Sequence, residues 1–223
     1  HDPFPAKARE KFFNNFISSW DLYDPKKDPE IKLSQFYIHP SLVDRTSPEV
    51  FSKGLNIEEE AINYRLNRVQ KDPRIPFQLV ASEVMDKAVQ YVIIGEPGIG
   101  KTTLLKMIGI HCAEGRKKLP ILIRLAEFGA YLQDPKGKEQ AFRSVYNYSP
   151  CIQYIKDQVL NEEFPNATTQ DIIEALEKGD EIVLLFDALD EIGNYDLRKQ
   201  VIEILKKVIA RFSKMSILVT MRE

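Results

Sequence analysis

Cysteine is scarce in this chain. Of 223 residues only Cys112 and Cys151 carry a thiol, and neither lies in a CxxC pair or a Cys/His cluster. Neither a disulfide framework nor a structural zinc site is indicated, and isolated thiols fit a reducing, cytoplasmic setting. His111 stands beside Cys112 with no second ligand at metal spacing, which points to a packed helix face rather than a metal site. No segment reaches the roughly 18 consecutive apolar residues of a membrane span, and no cleavable signal pattern is present. Neither sign of charge dominates, with 31 Lys plus Arg against 33 Asp plus Glu, so no polyanion-binding surface and no nucleic-acid partner are indicated. Internal repeats and low-complexity tracts are also missing. What is present is 43% apolar and 29% charged residues, enough to bury a sizeable core under a charged surface.

The chain opens on His1 rather than methionine, as an internal fragment does. Residues 5–20 have the spacing of an amphipathic helix with Phe12, Phe13, Phe16, Ile17 and Trp20 on one face, a stripe that reads as packing surface. A turn-rich stretch (21–30) precedes an extended segment (31–38), and 57–69 has helical spacing with an acidic first turn of Glu58, Glu59 and Glu60. The break at 71–76 divides an N-terminal, mainly helical extension (1–75) from a core (76–223).

In the core the pattern changes to alternating strands and helices. Apolar runs at 91–94, 120–125, 182–186 and 216–220 read as strands; 102–113, 151–160, 171–177 and the stripe from Leu197 to Phe212 read as helices. Unbroken apolar strands separated by helices predict an α/β fold with a parallel sheet covered on both faces. The lysine pairs Lys117-Lys118 and Lys206-Lys207 read as solvated helix faces or ends.

Gly95, Glu96, Pro97, Gly98, Ile99, Gly100, Lys101 and Thr102 fit G-x-x-x-x-G-K-[ST] in full, after a strand and before a helix. The glycines let the backbone curl so that successive N–H groups point at phosphate oxygens, and the following helix adds the positive end of its dipole. Lys101 supplies a charge to the outer phosphates, the Thr102 hydroxyl is a magnesium ligand, and Thr103 is placed at the inner phosphates. The apolar run ending at Asp187 puts a carboxylate at the carboxyl end of a parallel strand, where ligands bind, as a second holder of magnesium. Ala188 leaves room beside the phosphates. Asp190 or Glu191 can orient or deprotonate an attacking water, two acids for one role. At the exit of the last strand, Thr220 or Arg222 faces the outer phosphate if that strand lies beside the P-loop strand.

In combination GEPGIGKTTLL, LPILIRL, LLFDALDEI and ILVTMRE, in that order, resemble the NACHT branch of the STAND signalling NTPases, over about residues 31–223. Asp187-Ala188-Leu189-Asp190-Glu191 matches the Walker B pattern DGxDE with alanine where glycine is commoner, and Arg222 falls on the sensor 1 arginine. The segment Phe36-Tyr37-Ile38 resembles the one that approaches the base, which puts Tyr37 and Ile38 at the nucleotide. The resemblance implies a three-layer P-loop NTPase of ASCE/AAA-like type, with the sensor strand inserted between the P-loop and Walker B strands. It implies ATP/ADP with Mg as ligands and a prokaryotic member truncated after the sensor 1 strand, since residues 216–223 read as a strand and two charges with nothing after them to pack. It further implies a slow ATPase that switches by nucleotide exchange, forms a homo-oligomer on activation, answers to sensor and effector regions elsewhere on a longer protein, and serves innate immunity or antiphage defence. The competing expectations are an AAA-type ATPase with continuous turnover and a module that uses nucleotide only as a structural ligand. No LSGGQ-like stretch, basic kinase lid or NKxD-like guanine reader is present.

Overall fold

The computed structural model describes residues 2–20, 22–24, 28–32, 41–43, 74–134, 149–179 and 181–222. Helix α1 (Ala6–Trp20) leads into two short antiparallel pairs, β1 (Leu22–Asp24) with β2 (Asp28–Lys32) and β3 (Ser41–Val43) with β4 (Arg74–Pro76). Then follow α2 (Phe77–Asp86), β5 (Gln90–Ile94), α3 (Lys101–Glu114), β6 (Leu119–Arg124) and α4 (Leu125–Gln133). Helix α5 (Ser149–Tyr154) runs into a π-helical turn (Ile155–Leu160). After it come α6 (Thr169–Lys178), β7 (Ile182–Asp187), a 3-10 turn (Leu189–Glu191), α7 (Tyr195–Arg211) and β8 (Ser216–Met221).

Strands β5, β8, β7 and β6 pair in that order as one parallel sheet. The last strand is therefore inserted between the P-loop strand and the acidic strand, the order that the resemblance implies. All six residues of β7 are buried, as a central strand covered on both faces requires. The direction of each crossover follows from the order. The step from β5 to β6 runs one way across the sheet, and the steps β6 to β7 and β7 to β8 run the other. Right-handed connections then put α3 on one face and the helices after β6 on the other. Helix α3 accordingly packs with α1 and α2, while α4 and α5 pack with α7.

Helix caps are written locally. Thr168 and Asp171 close a capping box at the start of α6, and Gly179 ends it in the left-handed region at φ 80°. Asn194 caps α7 by accepting from the Leu197 N–H at 2.9 Å.

Helix α1 lies directly on α3. Phe12, Phe13 and Phe16 are buried in the same core as the sheet strands, and Arg9 pairs with Glu181 at 3.2 Å. The contact depends on a residue without a side chain, because a Cβ at Gly109 would stand 2.7 Å from the Phe16 ring and 3.2 Å from Leu185 Cδ1. Gly109→Ala gains about 1 kcal/mol of helix propensity but overpacks a buried contact, at about 1–3 kcal/mol. The expected result is a net loss of about 1 kcal/mol in chemical denaturation, with a shift in the emission of the single tryptophan at the end of α1. An unchanged midpoint and spectrum would show that α1 is not held this way.

Some sequence expectations change. Lys118 is not solvated: it is 4% exposed, and its ammonium donates to the carbonyls of Val84 (2.9 Å) and Lys87 (3.3 Å) at the end of α2. The Ser216 hydroxyl donates to the same two carbonyls at 3.0 and 2.8 Å, so a cation and a hydroxyl close that helix end where β6 and β8 begin. His111 is exposed rather than packed, while its neighbour Cys112 is fully buried. The helices α2 and α4 were not foreseen, being short and merged in sequence with flanking apolar runs. The helical spacing at 57–69 and most of the 31–38 segment lie outside the described residues.

Candidate nucleotide-binding site

Strand β5 ends at Ile94 and the chain turns through residues 95–100 before α3 starts at Lys101. Gly98 and Gly100 have φ of 78° and 94°, which L side chains rarely adopt. A Cβ on either would meet nothing within 4 Å, so it is the backbone conformation and not crowding that calls for glycine at both positions. The Lys101 ammonium lies across this loop, donating to Gly95 O at 2.7 Å and Glu96 O at 2.9 Å. With three N–H donors and two so used, the charge is fixed at the mouth of the cradle with a donor to spare. Glu96, Pro97 and Ile99 are exposed at the tip, Ile99 by 67%, and Thr103 is half-buried in the first turn of α3. Backbone N–H groups, a helix start and a held ammonium fit a polyphosphate.

The second half of the site converges on Asp187, 3% exposed at the carboxyl end of β7. Its Oδ1 accepts from the Thr102 hydroxyl at 3.1 Å and the Thr220 hydroxyl at 2.8 Å. Thr220 accepts in turn from the Ala188 N–H at 2.7 Å and is fully buried. Thr220 thus holds the carboxylate rather than facing the phosphates. A threonine hydroxyl and a carboxylate, both hard oxygen donors, beside a polyphosphate cradle fit magnesium, which takes one or two protein ligands alongside phosphate oxygens.

Ala188 adopts φ 58° and ψ 60°. Small size is therefore only part of what this position asks for: a non-glycine residue here costs about 1–2 kcal/mol. Ala188→Gly relieves that strain and adds about 0.5–1 kcal/mol of unfolded-state entropy. A net stabilisation of about 0.5 kcal/mol is expected, seen as a higher Tm. Ala188→Val, β-branched at positive φ, is expected to lower Tm.

The loop after Ala188 is pinned from two directions. Arg222 grips Asp190 twice, Nε to Oδ2 at 2.6 Å and backbone N–H to Oδ1 at 3.0 Å. Arg198, on the second turn of α7, donates to the carbonyls of Ile192 (2.9 and 2.7 Å) and Asp190 (3.3 Å). Glu191 is exposed and has no side-chain partner among the described residues. Thr102, Asp187, Asp190, Glu191 and Arg222 are all brought to the carboxyl edge of the sheet, and the P-loop opens onto the same edge. Tyr37 and Ile38 lie outside the described residues. Arg198 escaped the sequence reading because a helix arginine among charged neighbours has no signature; it reaches the loop because helix side chains lean toward the N-terminus. The thiols of Cys112 and Cys151 play no part, since burial pushes both up to about 12.

A P-loop between the first strand and first helix of this sheet, and an acidic strand end one strand beyond an inserted neighbour, define a P-loop NTPase core. The family model described as the NACHT domain matches residues 90–223, and the chain belongs to that family. Searches of curated proteins and of solved structures each gave no match. Among the described residues no helix is long and apolar enough to cross a membrane, and no group of three or more His, Cys, Asp or Glu side chains is placed to hold a metal.

Proposed function

We propose that this chain is the nucleotide-binding core of a STAND-type signalling switch, which binds ATP or ADP with magnesium and hydrolyses ATP slowly. One observation carries the reading: the Asp190–Arg222 latch. It ties the exit of the sensor strand to the loop that follows the magnesium-side carboxylate. An outer phosphate offers Arg222 a competing anion, so a triphosphate and a diphosphate differ in the contacts they make with two arrangements of the same loop. Such differential contact is what allows a ligand to shift a population.

On this reading each site residue has a role. Residues 95–100 and Lys101 cradle the phosphates, with Thr103 at the inner ones; Thr102 and Asp187 hold magnesium. Bound magnesium supplies charge neutralisation across the outer phosphate oxygens. Glu191, exposed and without a side-chain partner among the described residues, is the general base, and Asp190 sets the position of Arg222. Adenine recognition is assigned to Tyr37 and Ile38 on the family resemblance alone. In this reading residues 76–223 are the core and 1–75 lead into it, with α1 docked on α3. Homo-oligomerisation and control by sensor and effector regions of a longer protein, in the cytoplasm and in an immune setting, belong to the same reading.

Retention and turnover test it. The protein purified without added nucleotide, then denatured, is expected to release about one ADP per chain, and steady-state turnover is expected far below the roughly 10 s⁻¹ typical of enzymes. An empty site together with rapid, continuous turnover overturns the switch in favour of an AAA-type motor.

A further inference from the structure

Trp20 closes α1 beside two cations. Lys106 Nζ stands 5.0 Å from its ring centroid and Arg124 Cζ stands 5.5 Å from it. Lys106 is one helical turn beyond Thr102 on the same face of α3, and a helical side chain leans back toward the N-terminus. Arg124 ends β6 directly opposite Asp187 in the sheet register. Both cations therefore flank the magnesium-side carboxylate from the side of β7 that lies away from Arg222.

This pair is poorly neutralised. Arg124 has a half-exposed ion pair with Glu127 at 3.4 Å. Lys106 is half-buried and makes no hydrogen bond or ion pair among the described residues. Burial first, and the neighbouring Arg124 second, depress its pKa, while Asp187 works against them. Two cations on one indole gain modestly from the ring quadrupole, but they repel each other and await an anion. The anions beside these cations in the protein itself are Asp187 and, at the surface, Glu127. On the nucleotide reading, with Lys101 and the loop amides on the β5 side, an outermost phosphate beside Asp187 is the part of the ligand closest to this pair.

Resting on the nucleotide reading above, we propose that Lys106 and Arg124 form a second cationic clamp on the outermost phosphate. Trp20 positions that clamp and ties it to α1, so α1 distinguishes triphosphate from diphosphate. A triphosphate draws the two cations from the indole; a diphosphate leaves them on it. The device lies on the opposite flank from the Asp190–Arg222 latch and transmits to the N-terminal helix rather than to the last strand.

The test uses the whole chain with two probes, the magnesium complexes of ADP and of a non-hydrolysable imido analogue of ATP, titrated by calorimetry and by tryptophan emission. Trp20 is the single tryptophan, so the emission has one source. Wild type is expected to bind both, with an emission change for the triphosphate analogue and little for ADP. Lys106→Met is expected to weaken the analogue about tenfold or more, the worth of one charge-assisted hydrogen bond, and to leave ADP within about twofold. Lys106→Arg is expected to restore most of the difference. Equal weakening of both nucleotides, or equal emission changes with both in wild type, overturns the clamp while leaving the nucleotide site standing. The wild-type comparison decides the matter even where a variant fails to fold. Failure of wild type to bind either probe overturns the nucleotide reading and the clamp with it.

Discussion

Lys101→Ala is expected to lower affinity for magnesium–nucleotide by about 10²–10⁴-fold, because charge-assisted hydrogen bonds contribute about 1.5–3 kcal/mol each and the ammonium serves more than one phosphate oxygen. Its bonds to Gly95 O and Glu96 O show that the charge is placed by the loop itself and does not have to be recruited. The same bonds brace the loop, so the variant loses both a charge and part of the cradle's definition. Lys101→Arg is not expected to rescue, since a planar fork cannot replace a compact ammonium sitting across two carbonyls. The site is at the surface end of the sheet, so the fold survives. Calorimetry with ADP and a far-ultraviolet melt of the same sample check both halves. Near-wild-type affinity in the alanine variant would remove the P-loop from the mechanism.

The second large effect separates the two acids. Glu191→Gln is expected to reduce hydrolysis by about 10²–10⁴-fold, the usual contribution of a positioned base, while nucleotide affinity changes little. Asp190→Asn is expected to behave differently. Both of its carboxylate oxygens are engaged by Arg222, so the change releases the sensor strand's exit. Hydrolysis then falls less than in the Glu191 variant, and the relative affinity for triphosphate over diphosphate shifts. Single-turnover rates alongside equilibrium binding discriminate the two. If the asparagine variant is the dead one and the glutamine variant turns over normally, the roles are reversed.

The placement of these acids shows how far local sequence reaches. The place of Asp187 was legible because an unbroken apolar run that stops at a carboxylate reads as a buried strand ending there. The P-loop was legible because its glycines answer a backbone demand, the positive φ at Gly98 and Gly100, that few other residues meet. Asp190 and Glu191 are adjacent and chemically alike, and nothing local separates them. They part only when β8 lands between β5 and β7 and brings Arg222 to Asp190. Lys118 shows the same limit in the other direction. Beside Lys117 it looks like a solvated pair, yet the start of β6 buries one ammonium on the carbonyls at the end of α2 and leaves the other exposed at the surface, paired with Asp86.

Sequence alone determined the α/β class, the phosphate loop and the strand-end carboxylate Asp187, since these depend on hydrophobic period, glycine geometry and strand ends, all short-range properties. Tertiary structure alone decided that α1 shares the core through the bare surface of Gly109, and that Thr220 supports Asp187 from the neighbouring strand. It also decided that Lys106 and Arg124 meet on Trp20 and that Glu191 stands without a side-chain partner among the described residues. Each of these is a contact between residues far apart in the chain. Strand order and close packing bring them together, and no local pattern encodes either.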